Sequence, residues 1–247
     1  MRPGGGRIEV ETRSTLICRL AVASIAGQLA FIATIAVVGA VEPGYDPVRD
    51  AISALGARTA AHPWVFDTAV AVWGLSFLAA AIALWLDAPR SLRGRLGPTL
   101  IAITGLAQIL DGFPFPADCR RTIDAGCHAR EVAGDVSWQH VAHFWTYAGG
   151  ALALMLSVFA MAWRFRGDPR WAGADRLALG LGLIGVAIFA GLSVATTESM
   201  ENYYGLIQRL GLGAGAVWVG ALALGLLTVY GRLPGTPLLR SADAARR

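Results

Sequence analysis

Six stretches without a charged side chain constrain this chain more than any other feature. They cover residues 20–41, 68–86, 96–110, 136–163, 177–197 and 210–231, and are 22, 19, 15, 28, 21 and 22 positions long. A bilayer core about 30 Å thick needs roughly 20 apolar residues of helix. Five runs meet that requirement unaided, and the third reaches 21 positions when carried past Asp111 to Pro116. The runs are continuous rather than alternating, so they predict helices and not barrel strands.

The expected fold is therefore all-α. It is a polytopic membrane protein, a bundle of six transmembrane helices near 16–40, 64–86, 97–115, 139–163, 177–197 and 207–230. Residues 1–15 read as a cytoplasmic N-terminal arm, 16–230 as the transmembrane domain and 231–247 as a cytoplasmic Arg-containing tail. The first run is too long for the apolar core of a cleaved leader, and no small-x-small site precedes a soluble domain. Composition agrees: only 15% of residues are charged and 55% are hydrophobic, against about a quarter charged in soluble domains. Disorder is excluded on the same ground.

Arginine placement sets the expected orientation. All 21 basic residues are Arg. Fifteen fall on the arm, the loops after helices two and four, and the tail; the other six are Arg49, Arg58, Arg120, Arg121, Arg130 and Arg209. Both termini are thus expected in the cytoplasm of a multi-pass plasma-membrane protein. A sequence pI near 9.3 then reflects topology, and no nucleic-acid partner is expected. Eleven of the 17 acids and all four His fall on the outer side, so chemistry is expected in that layer.

The first outer segment, 41–63, carries Pro43-Gly44 and Asp46-Pro47 turn signals, followed by PVRDAISALGA. Asp46 as N-cap and Pro47 at the first helical position predict a short amphipathic outer helix lying on the membrane. It reads either as a ligand-gripping lid or as a connector. Tyr45, Arg49, Asp50 and Ser53 are its candidate ligand contacts. The second outer segment, 116–139, holds Cys119 and Cys127. Outside the membrane these favour a disulfide, the alternatives being free thiols or metal ligation with His128.

His140 and His143 lie at i, i+3 and share a helix face with Tyr147. With His128 and a carboxylate they could complete a zinc-like set, although HxxH lacks the glutamate of the zinc-protease motif. The plainer reading is interfacial histidines bonded to loops. Asp67, Gln108, Asp111, Glu198 and Arg209 lie just under the outer boundary, where polar groups are costly in lipid and must pair or face water. Arg209 is expected to pair with Glu198, Glu201, Asp111 or Asp50. As an enzyme, the chain could use Asp111 or Glu198 as a buried neutral acid, or His140 and His143 in acid–base or metal-assisted chemistry. The Trp residues read mostly as interfacial anchors, and the glycines of the last two helices as close packing.

YDPVRDAISALGA after helix one, FPAD at the end of helix three, HVAH opening helix four and YYGLIQRLGLGAGAVW at helix six resemble a bacterial family of six-helix integral membrane proteins. It is the domain-of-unknown-function 998 family. The resemblance covers roughly residues 20–230, is most specific at Tyr45–Gly56 and Gly205–Arg209, and implies the six-helix fold but no established activity.

Three readings follow. The first is a membrane-embedded site, open on the outer side, that binds or converts an amphipathic or isoprenoid-like lipid or other hydrophobic small molecule. The second is a non-catalytic accessory, assembly or sensor protein with a helix-packing protein partner. The third, a transporter, is disfavoured because no line of acids crosses the membrane.

Overall fold

A computed structural model describes residues 5–195 and 201–231. Among them are seven α-helices: α1 (Gly5–Val41), α2 (Pro63–Asp87), α3 (Leu92–Gly112), α4 (Cys127–Ala133), α5 (Trp138–Phe165), α6 (Ala174–Ala195) and α7 (Tyr204–Tyr230). The protein is all-α. Four segments, Glu11–Val41 and the helices α2, α5 and α7, are long and apolar enough to cross a membrane. Of the expected spans, α3 is 21 residues long and α6 is 22. Arg93, Arg95, Gln108 and Asp111 make α3 the more polar of these two.

The six long helices form a closed ring in chain order. Each packs on the next, and α7 returns to α1. Helix starts follow local chemistry. Pro63 opens α2, Ser91 Oγ accepts from the Gly94 N–H at the start of α3, and Ser137 Oγ accepts from the His140 N–H at the start of α5. α2 crosses α3 closely: a Cβ on Gly74 would lie 2.6 Å from the Gly105 carbonyl oxygen. Glycines of α6 and α7 are less uniformly used than expected. Gly215 packs on Leu154 and Gly225 on Trp171, whereas a Cβ on Gly180, Gly185, Gly213 or Gly220 would meet nothing within 4 Å.

The core stacks Phe31 on Trp73 at 4.1 Å, with Phe77 edge-on to Trp73. The indole N–H of Trp73 donates to Gln28 Oε1 (2.5 Å), and Gln28 Nε2 donates to Ser76 Oγ (2.9 Å). This triad satisfies the buried glutamine internally. Trp73, Trp171 and Trp218 are buried, so these three are core residues and not interfacial anchors.

Two ends can be distinguished. At one, the carboxylate of Asp87, ending α2, is fully buried. It accepts from Arg164 of α5, Arg170 Nη1 (2.9 Å) and Tyr230 Oη of α7 (2.8 Å). At the other end, segments 42–62 and 113–137 fold over the ring as a lid. Here the expectation of an amphipathic surface helix is corrected. Residues 47–49 form turns, followed by a 3₁₀ turn at Ile52–Gly56. Among the described residues Asp46 Oδ1 accepts from the Val48 N–H (2.8 Å). Ile52 and Leu55 are buried in the bundle core, so this face of the segment packs into the bundle. The backbone has a better use than continuing an α-helix, because its carbonyls cap α7.

Candidate functional site

The lid is held by a dense set of charged bonds. Asp50 is fully buried. Its carboxylate accepts from the Asp46 N–H (2.7 Å), Arg49 Nε (2.7 Å) and Thr122 Oγ1 (2.5 Å). Arg120 bridges Glu42 (2.7 Å) and Asp124 (2.8 Å), while Glu42 also accepts from the Ala61 N–H. Asp118 accepts from Arg58 (3.0 Å) and from Ser137 through both backbone and hydroxyl. Cys119 and Cys127 form a disulfide, which resolves the alternatives left open by their spacing.

The lid seats on α7. The N–H groups of Gly205 and Leu206, unpaired within the helix, donate to the carbonyls of Arg49 (3.1 Å) and Val48 (2.8 Å). Arg209 Nη1 donates to the carbonyls of Pro47 (2.5 Å), Asp50 (3.1 Å) and Gly205 (3.0 Å). Its Nη2 donates to Tyr45 Oη, and the guanidinium lies 5.4 Å from the Tyr45 ring centroid. This corrects the expected pairing with the Asp111 or Asp50 carboxylate. Among the described residues Arg209 is satisfied by carbonyls and a hydroxyl, and neither Asp111 nor Asp50 offers it a carboxylate. Glu198 lies outside the described residues, as does the Glu201 side chain. Gln208, which no sequence pattern marks, accepts from the Ile52 N–H through Oε1 (2.6 Å).

Between the lid and the ends of α5 and α7 is a chamber of about 160 Å³. Its polar lining includes Ser53, Arg121, Glu131, His140, His143 and Tyr204. The two histidines have different roles. His140 Nδ1 accepts from the Asp118 N–H (3.0 Å), which leaves the ring proton on Nε2, 3.3 Å from Glu131. His143 Nδ1 faces two acceptors, Asp111 Oδ1 (2.9 Å) and the Phe115 carbonyl (3.1 Å), so the ring proton belongs on Nδ1. Among the described residues nothing pairs with its Nε2. Thr146 also donates to Asp111 (3.1 Å), and Asp67 is near enough for the charges of His143 and Asp111 to act on it.

His128 joins His140 and Arg121 around Glu131 and does not join His143. Among the described residues no group of three or more His, Cys, Asp or Glu side chains could hold a metal. The residues therefore do not fit the zinc-like set of His128, His140 and His143. Glu131 was the missed hub. As one of several loop acids, it has no local pattern to mark it.

Beneath the chamber, an apolar crevice of about 90 Å³ runs between α5, α6 and α7, with Trp73, Thr104 and Gln108 at its back. Tyr147 lines both cavities.

Burial alone would raise the carboxyls of Asp50, Asp118 and Asp124. Hydrogen bonds and the charges of Arg49, Arg58 and Arg120 respectively outweigh it and hold all three below the usual range. Depressed carboxylates stabilise the fold fully above their unfolded pKa, near ~4, and lose that contribution as pH falls through the folded values. Thermal melts in detergent should therefore fall between pH ~5 and ~2. Asp50→Asn should flatten that slope, reducing the total stability lost over this range by about 1.4 kcal/mol per pKa unit of depression it removes. An unchanged slope in Asp50→Asn would contradict this account of the lid.

Long apolar helices, a buried polar lid and an internal polar chamber define a multi-helix membrane protein. The chain belongs to the DUF998 family of proteins of unknown function, whose family model matches residues 25–225. No curated protein and no solved structure matches it.

Proposed function

We propose that the chamber and crevice together bind one small amphipathic molecule. Its polar head sits under the lid and its apolar part lies between α5, α6 and α7. The observation that carries this reading is that Tyr147 lines both cavities, so a polar and an apolar compartment meet at one side chain. Ligand sites combine mostly apolar walls with a few placed polar groups in this way. Six helices span the membrane in this reading, with both termini cytoplasmic and the lid outside. The distribution of fifteen Arg against six supports that orientation.

His143 is the group that exchanges a proton with the head. Asp111 fixes its tautomer and leaves Nε2 as the base, an arrangement suited to general acid–base catalysis. In this scheme Asp111 is a positioning residue.

The test uses full-length protein in nanodiscs with diazirine-tagged amphiphiles bearing isoprenyl chains and phosphate, carboxylate or hydroxyl heads. Labelling is expected on α5 and α7 around Tyr147. Gly185→Phe should cut it at least several-fold, because Gly185 lines the crevice and its Cβ direction is open. Labelling that is absent, or indifferent to Gly185→Phe, overturns the reading.

A further inference from the structure

On the other side of the lid–α7 contact lies a larger groove, about 640 Å³, between α1 and α7. The contact works as a partition. Ser53 and Gln208 face the chamber, whereas the adjacent Ile52 and Arg209 line the groove. Phe31, Ile35, Leu212 and Ala216 supply apolar walls, and Tyr45 and Arg209 close the lid end.

We infer that this groove is a binding site for one anionic phospholipid of the leaflet at the lid end, distinct from the chamber. Three observations choose this occupant. The first is depth. On α1 the groove runs from Ala40 down to Phe31, and nine residues of helix rise about 14 Å. That is about half of a ~30 Å hydrocarbon core, so the groove is as deep as one leaflet and opens no path to the other. The second is size, which falls within the roughly 300–1,000 Å³ of ligand sites. The third is charge. Arg209 is a partly exposed cation at the end of an apolar groove, and among the described residues no carboxylate neutralises it. A guanidinium at the hydrocarbon boundary complements a phosphate ester, with hydrogen bonds stronger than neutral ones. A zwitterionic lipid offers the same phosphate but adds a cation to a site that already holds one.

The groove walls are α1 and α7, and α7 also carries Arg209, while Tyr45 and Pro47 belong to the lid segment, so the headgroup end is complete only when the lid is seated. Leu212 borders both the groove and the crevice, and the remaining groove residues are absent from the crevice lining.

Full-length protein in phosphatidylcholine nanodiscs, doped with acyl-chain diazirine phosphatidylglycerol or diazirine phosphatidylcholine, tests the inference. Mass spectrometry is expected to place adducts on Phe31–Ala40 and Leu212–Ala216, with phosphatidylglycerol favoured at least fivefold. Gly213 lines the groove and its Cβ direction is open, so Gly213→Phe should remove these adducts without disturbing the lid. Arg209→Gln should abolish the headgroup preference and Arg209→Lys should keep part of it. If Arg209→Gln fails to fold, the wild-type preference and Gly213→Phe still decide. Equal labelling by the two lipids, or adducts indifferent to Gly213→Phe, overturns the inference. Gly185→Phe leaves groove adducts intact, so failure here and failure of the chamber reading are told apart.

Discussion

Asp87→Ala should destabilise the folded protein by about 3–5 kcal/mol, the usual cost of leaving a buried ionic partner alone. The Arg164 side chain is only 3% exposed, and its guanidinium sits near the Phe165 and Trp171 rings. It has no route to water once the carboxylate is gone. Arg170 and Tyr230 lose the same acceptor, so the ends of α2, α5 and α7 come apart together. Replacing both members, Asp87→Leu with Arg164→Met, should restore much of the loss, because an apolar pair of similar volume avoids the desolvation of two ions. Unfolding in detergent micelles measures all three proteins. A cost below about 1 kcal/mol for Asp87→Ala, the range of exposed ion pairs, would mean that the cluster is solvated.

A single methyl group should have opposite effects at two points of α7. A Cβ on Gly205 would lie 2.3 Å from the Asp50 carbonyl oxygen and 2.8 Å from that of Pro47. Both are backbone atoms held by further bonds to Arg209. Gly205→Ala should therefore cost about 2–3 kcal/mol, at the upper end of overpacking penalties, and should unseat the lid. Gly213→Ala meets nothing within 4 Å and should gain roughly 0.5–1 kcal/mol from helix propensity. Thermal melts compare the two, with protease sensitivity of segment 42–62 as the readout for the lid. Equal effects at the two positions would show that the lid–α7 contact is not tight.

The uncharged runs were enough to place the long helices, because the cost of a charge in lipid is written residue by residue. The lid conformation was not legible. Asp46-Pro47 is a sound helix start, yet the segment's carbonyls are taken by the first turn of α7, and no local pattern records a partner so far along the chain. The same blindness affected Arg209. Its position marks it as needing partners, but carbonyl groups carry no letter, so the sequence points only to carboxylates. Asp111 and His143 were legible as candidates because both are polar near the ends of apolar runs. That they touch each other, while His140 turns to Glu131, depends on how α3 and α5 rotate in the ring. The two stretches most specific to the family resemblance, Tyr45–Gly56 and Gly205–Arg209, prove to be the two sides of one contact.

That contact also imposes an order of assembly. Ribosomes release the chain from its N-terminus, so the Ile52 N–H is made 156 residues before the Gln208 side chain that accepts from it. Until the last helix arrives, the capping carbonyls of Val48 and Arg49 have no helix start to bond. The first and last helices also cannot meet to close the ring. Segment 42–62 can therefore pair with residues 117–124 early, but it cannot seat on α7 until the end of synthesis. A chain cut short before residue 205 would have its polar lid sequence exposed to quality-control proteases, and completion of α7 is the event that hides it.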